Sequence, residues 1–139
     1  MPRTMAVLAA VLAFAATACG GGGSNESAAE GGTTTVAGVA AADHGTKDAS
    51  GKDELDVELD DDYFEPTVIT GTPGQKLKLK LENEGSNEHN FTLEAQNVDQ
   101  DVDAGEKADV TVTIPQSGKL AFYCKYHKQL GMAGALGAS

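Results

Sequence analysis

Four side chains of this 139-residue chain have the types and spacing to meet at one metal ion. Cys124, His127 and Met132 stand as Cys-x2-His-x4-Met, so a thiolate, an imidazole and a thioether fall within nine residues. One loop can bring such a set to a point. His89, on a separate segment, offers a second imidazole. Two imidazoles and a thiolate in a trigonal arrangement, with a weak axial thioether, form the ligand set of type-1 (blue) copper sites. Zinc is served poorly by a thioether, calcium and magnesium want oxygen, and an iron–sulfur cluster wants several thiolates. Taken singly, each residue has a plainer role, since a buried cysteine is often only a small hydrophobe and a buried histidine only a hydrogen-bonded core residue. The combination carries the copper reading.

The N-terminus reads as a targeting segment. Arg3 is followed by an apolar run from Met5 to Ala16, too short for a membrane span, and the run ends in Ala16-Thr17-Ala18-Cys19-Gly20. Small residues before a cysteine resemble the lipobox of bacterial lipoproteins, which implies cleavage after residue 18, acylation of Cys19 and a prokaryotic source. An ordinary secretory signal is the alternative, and both export the chain. If Cys19 is acylated, Cys124 is the one free thiol, in a compartment that favours disulfides, and metal coordination would protect it. Removing residues 1–18 leaves Met132 as the one methionine and His44, His89 and His127 as the histidines.

Residues 20–52 are rich in Gly, Ala, Ser and Thr and read as a flexible linker, with His44 a solvated histidine inside it. The folded domain is expected over 53–139. There the apolar pattern has period two: Leu55, Val57 and Leu59 among acids; Leu77, Leu79 and Leu81 among lysines; Val110, Val112 and Ile114 among threonines. Turn signals separate the runs, at Gly71-Thr72-Pro73-Gly74, Asn83-Glu84-Gly85-Ser86, Asp103-Ala104-Gly105-Glu106 and Pro115-Gln116-Ser117-Gly118. Short strands at this spacing predict an all-β, antiparallel sandwich or barrel. Parity aims Cys124 the same way as Leu120 and Phe122, and His89 the same way as Phe91 and Leu93, so both ligands should face the core.

Residues 55–139 resemble a cupredoxin of the plastocyanin and pseudoazurin type. The resemblance is carried by the ligand-loop spacing, by Glu88-His89-Asn90-Phe91, by the strand from Gly118 into Tyr123-Cys124, and by Gly131-Met132 with Gly134. It implies a Greek-key fold, one copper ion held by His89, Cys124, His127 and Met132, and a role for Asn90 in tying the two ligand segments together. It also implies that His127 is the surface electron port in an apolar patch, with Leu130, Met132 and Ala133 as candidate members. Lys125-Tyr126 departs from the pattern, in which a proline often precedes the second histidine, and the loop's rigidity therefore needs another source. Lys125 and Lys128 are expected to make this end locally basic.

The chain carries 21 acidic against 10 basic side chains, a net of −11, which disfavours nucleic acid and anionic lipid surfaces as direct partners. The expected function is electron transfer by a monomer with protein redox partners, membrane-attached through its lipid anchor alone. Copper delivery or storage is the competing function, and a single methionine at the axial position speaks against it. Enzyme activity is not expected, because neither an orienting third residue nor an oxyanion site accompanies Cys124 and a histidine.

Overall fold

A computed structural model describes residues 32–139. The signal segment 1–18, Cys19 and residues 20–31 of the expected linker lie outside the described residues. Twelve strands are described: β1 (Gly32–Val36), β2 (Val39–Asp43), β3 (Thr46–Asp48), β4 (Glu54–Asp60), β5 (Tyr63–Glu65), β6 (Val68–Gly71), β7 (Lys76–Asn83), β8 (His89–Leu93), β9 (Val98–Val102), β10 (Lys107–Thr113), β11 (Lys119–Tyr123) and β12 (Ala133–Ala138). Two short 3-10 turns, at Glu94–Gln96 and Lys128–Leu130, are the helical elements of the described residues, and no helix among them is long and apolar enough to cross a membrane.

The strands form a sandwich of two open sheets. One has the order β10-β7-β4-β5 and the other β3-β6-β12-β11-β8-β9, while β1 and β2 make a separate hairpin. Most ladders are antiparallel, but β4 with β7, β12 with β6 and β3 with β6 are parallel. The connections β5 to β6, β6 to β7, β7 to β8, β9 to β10 and β10 to β11 each pass from one sheet to the other. Alternation in β7 is the clearest case of sequence dictating geometry. Leu77, Leu79 and Leu81 are buried, and the other face pairs charges, with Lys78 Nζ 3.0 Å from Glu54.

Between the sheets, Phe64 of β5 meets Phe122 of β11 edge-on at 5.1 Å between centroids, and Phe91 of β8 lies 4.8 Å from Phe122. Aromatic contacts of this kind add to the burial of their surface. Phe91 is two residues past His89 and Phe122 two residues before Cys124, so this cluster anchors both strands that carry a predicted ligand.

The structure corrects the linker reading for residues 32–52. Thr33, Thr34, Thr35 and Val36 are all β-branched and suit a strand. The hairpin closes through Ala37 (φ 46°) and Gly38 (φ 80°), a two-residue turn with both residues at positive φ. Ala41 and Ala49 are fully buried; their small side chains let backbone approach closely, which a search for large apolar residues overlooks. Val36 and Ala41 pack with Val68, Ala133 and Ala135 in a second, smaller core. β3 extends the six-stranded sheet beside β6. His44 is not a solvated linker side chain either, since its ring stacks on Tyr63 at 3.6 Å, while its backbone N–H donates to Thr67 Oγ1 at 2.7 Å.

Candidate metal centre

His89 opens β8, opposite Val102 of β9. The loop before it is built by the buried Asn83, whose Nδ2 donates to the carbonyls of Asn87 and Val102, both at 2.8 Å, and whose Oδ1 accepts from Gly85 N–H at 2.9 Å. The His89 ring is fully buried, as strand parity required.

Cys124 follows β11 and starts a chain of tight turns. Its carbonyl accepts from His127 N–H at 3.1 Å, and the His127 carbonyl accepts from Leu130 N–H at 2.9 Å and Met132 N–H at 3.3 Å. Cys124 N–H closes the loop onto the Met132 carbonyl at 3.0 Å. Gly131 sits at φ 89°, a left-handed position suited to glycine, and its carbonyl accepts from Ala42 N–H of the N-terminal hairpin at 2.9 Å. The segment misread as linker thus braces the ligand loop one residue before Met132.

These elements bring three of the four predicted ligands together by their donor atoms. His89 Nδ1 lies 3.1 Å from His127 Nδ1, and Cys124 Sγ lies 3.5 Å from the same nitrogen. One ligand atom from each of His89, Cys124 and His127 falls within 4.8 Å of the others. Met132, the fourth, is fully buried in the main core, joined to Cys124 and His127 through its backbone. Burial pushes the Cys124 thiol up, against the backbone N–H groups of Tyr126, Asn90 and His127 that favour the thiolate. A converging cluster of two nitrogens and one soft sulfur, with Met132 buried in the same core as Cys124, fits one copper ion better than an oxygen-seeking metal.

Asn90 points to the other face of β8 and connects the two ligand segments. Its Oδ1 accepts from Lys125 N–H at 3.3 Å, and its Nδ2 donates to Asp99 at 2.7 Å and Asp101 at 2.8 Å. Lys125 Nζ bridges the same two carboxylates at 2.9 and 3.1 Å, and Tyr126 Oη donates to Asp101 at 3.1 Å. Lys125 and Asn90 hold the Asp99 carboxyl below its usual range, and Asn90 with Lys125 does the same for Asp101. This corrects the expectation of a locally basic rim. Lys125 is neutralised by two acids, and Lys128 lies over the Tyr123 ring at 4.3 Å. The network also supplies the loop rigidity that a missing proline left unexplained.

The apolar rim differs from expectation as well. Leu130 is 64% exposed beside the half-buried His127, but Met132 and Ala133 are fully buried, and Tyr126, at 48%, is the second large exposed apolar side chain among the described residues. Met132 belongs to the main core and Ala133 to the smaller one beneath the hairpin. Sequence reasoning also missed Asp61, whose Oδ1 lies 3.2 Å from His89 Nε2. Burial disfavours its charge, but hydrogen bonds from Ser86 N–H, His89 and Asn87 prevail and hold its carboxyl below the usual range. No sequence signal distinguishes Asp61 from its neighbours Asp60 and Asp62.

A family model described as a cupredoxin-like domain matches residues 6–136. No curated protein matches the sequence. Several solved structures share the fold. The metal-binding domain of the Cu(I)-exporting P-type ATPase CopA of Streptococcus pneumoniae aligns with a TM-score of 0.56 at 12% identity, over 69% of this chain and 97% of that one. Reduced auracyanin from the photosynthetic bacterium Roseiflexus castenholzii gives 0.54 at 15%, over 63% and 98%. Auracyanin A, a blue copper protein of Chloroflexus aurantiacus, gives 0.50 at 19%, over 62% and 99%.

Proposed function

This chain belongs to the cupredoxin-like domain family, and from that premise we propose that it is a type-1 copper electron carrier, exported and tethered to the outer face of a membrane through an acylated Cys19. The observation that carries the reading is the convergence of His89 Nδ1, His127 Nδ1 and Cys124 Sγ at the mouth of the sandwich.

When bound, the copper supplies a one-electron couple between Cu(II) and Cu(I). The protein's part is to hold its ligands still. His89 is fixed by burial in β8, and Cys124 by the strand that ends on Phe122 and Tyr123. Binding requires Cys124 to give up its proton and act as the thiolate. Met132, fully buried in the main core, would be the fourth ligand, its thioether a weak donor that would tune the couple. His127 is half-buried and lies next to exposed Leu130 and Tyr126, so it is the ligand through which an electron leaves or enters. A core packed around Phe64, Phe91 and Phe122 keeps water from the thiolate side. Copper delivery fits less well, because Cys124, His89 and Met132 are all fully buried and a labile site needs ligands that a partner can reach. The partners are redox proteins that accept a small apolar rim on an acidic body.

The test is optical. Adding Cu(II) to the exported chain should produce an intense visible thiolate-to-copper charge-transfer band, and Cys124→Ser should abolish it. Met132→Leu should keep the band with a changed reduction potential. A colourless wild-type product would overturn the reading. Metabolic labelling with a palmitate analogue, lost in Cys19→Ala, tests the anchor separately.

A further inference from the structure

With its Nδ1 aimed at His127 and Cys124, His89 has one ring nitrogen left, and a carboxylate meets it. Asp61 Oδ1 stands 3.2 Å from Nε2. The same oxygen accepts from Ser86 N–H at 3.0 Å and from Asn87 Nδ2 at 3.3 Å, so it is held from three sides. Gly85 leaves the space for this contact, since a Cβ there would stand 2.5 Å from Asp61 Oδ1 and 2.7 Å from His89 Nε2. The Asp61 side chain is 41% exposed while that of His89 is fully buried, so a solvent-facing charge is coupled to a buried ring.

We propose that Asp61 is a positioning residue for the metal centre, fixing His89 as the Nε2–H tautomer with its Nδ1 lone pair directed at the metal, and lowering the reduction potential through its charge. The proposal rests on the copper reading above. A carboxylate that accepts the second ring N–H of a ligating histidine sets the ring's orientation and raises its basicity as a ligand. A more basic ligand and a nearby negative charge both favour the more positive, oxidised site. In the metal-free protein the same tautomer leaves His89 Nδ1 as acceptor and His127 Nδ1–H as donor across their 3.1 Å contact. Asp61 lies 28 residues before His89 in sequence, in the turn between β4 and β5.

Two measurements decide it. In copper-loaded Asp61→Asn, which preserves shape and removes charge, the reduced form should gain about tenfold over the oxidised one, an upward shift of about 59 mV for one electron. Asp62→Asn removes an equal charge one residue away without a bond to His89 and should shift the ratio less than about threefold, as screening of exposed charges dictates. Equal shifts in the two variants would overturn the proposal. The second measurement needs no variant and no copper. Nitrogen-15 spectra of the metal-free wild type at about pH 8, where an ordinary histidine is neutral, should show His89 protonated on Nε2, and protonation on Nδ1 would overturn the proposal. Failure of the copper reading looks different, as a wild type without the blue band, and the tautomer would still decide the pairing of Asp61 with His89.

Discussion

His89 and His127 offer the same atom to the same point and are held there by opposite means. His89 sits in a strand, fully buried, opposite Val102 and backed by Asp61. His127 sits in a loop, half-buried, held by backbone bonds among Cys124, Leu130 and Met132. One half of the site is set by the sandwich and costs tertiary structure to disturb. The other half is set by a loop that can be altered locally and that reaches the surface at Tyr126 and Leu130. A carrier needs both, a rigid half that fixes the donor positions and an accessible half that passes the electron.

The largest expected contrast comes from deleting each ring. His89→Gly should cost about 3 kcal/mol of unfolding free energy, because the lost ring leaves a buried cavity, and added imidazole should not restore the blue band. His127→Gly should cost less than about 1 kcal/mol, as for a partly exposed loop residue, and millimolar imidazole should restore the band by entering from solvent. Denaturant unfolding and a visible titration check both. Equal rescue in the two variants would break the distinction between a scaffold ligand and a loop ligand.

A gentler pair of changes sharpens it. Gly85→Ala places a methyl against both Asp61 Oδ1 and His89 Nε2, so it should destabilise by about 1–3 kcal/mol, the usual cost of overpacking, and also perturb the copper spectrum. Gly131→Ala meets Ala42 N at 3.4 Å and is strained chiefly by its φ of 89°. Its cost should lie near the lower end, about 1 kcal/mol, with the spectrum changed little. Thermal melts and visible spectra of the two variants give the comparison.

The same contrast governs what could be read from sequence. The ligand segment was legible because Cys124, His127 and Met132 lie within one loop, where spacing is geometry. The inward aim of His89 was legible because strand period is two and Phe91 and Leu93 mark the core face. The Lys76 to Leu81 alternation gave β7 outright. Residues 32–48 were not legible, because their burial depends on small alanines meeting β12 and on an Ala-Gly turn that carries no strong turn signature. Asp61 was hidden for another reason. A run of three aspartates looks like a solvated turn, and only the folded chain selects the one that meets a ring 28 positions away. Lys125 shows the converse error, since a lysine read as free charge is matched by acids from β9.

That last pairing gives the smallest effect and the one closest to the loop half. Asn90, Asp99, Asp101, Lys125 and Tyr126 lock the start of the ligand loop to β8 and β9. Double substitution of Asp99 and Asp101 by asparagine frees the Lys125 cation. The stability loss should stay below about 1 kcal/mol, since exposed ion pairs contribute little. The reduction potential should rise, because a nearby uncompensated cation disfavours Cu(II), but by less than in Asp61→Asn, and the rise should shrink as salt is added. The pH behaviour has a fixed sign. Both carboxyls are depressed in the folded protein, so their contribution is present above the unfolded aspartate value of about 3.9 and is lost as pH falls through the lower folded values. Wild-type stability should therefore drop in acid more steeply than that of the double variant, with the two curves converging at the acid end. A double variant that matches wild type in stability, potential and acid profile would show that backbone turns alone hold the loop, leaving Asp99, Asp101 and Lys125 as a solvated surface.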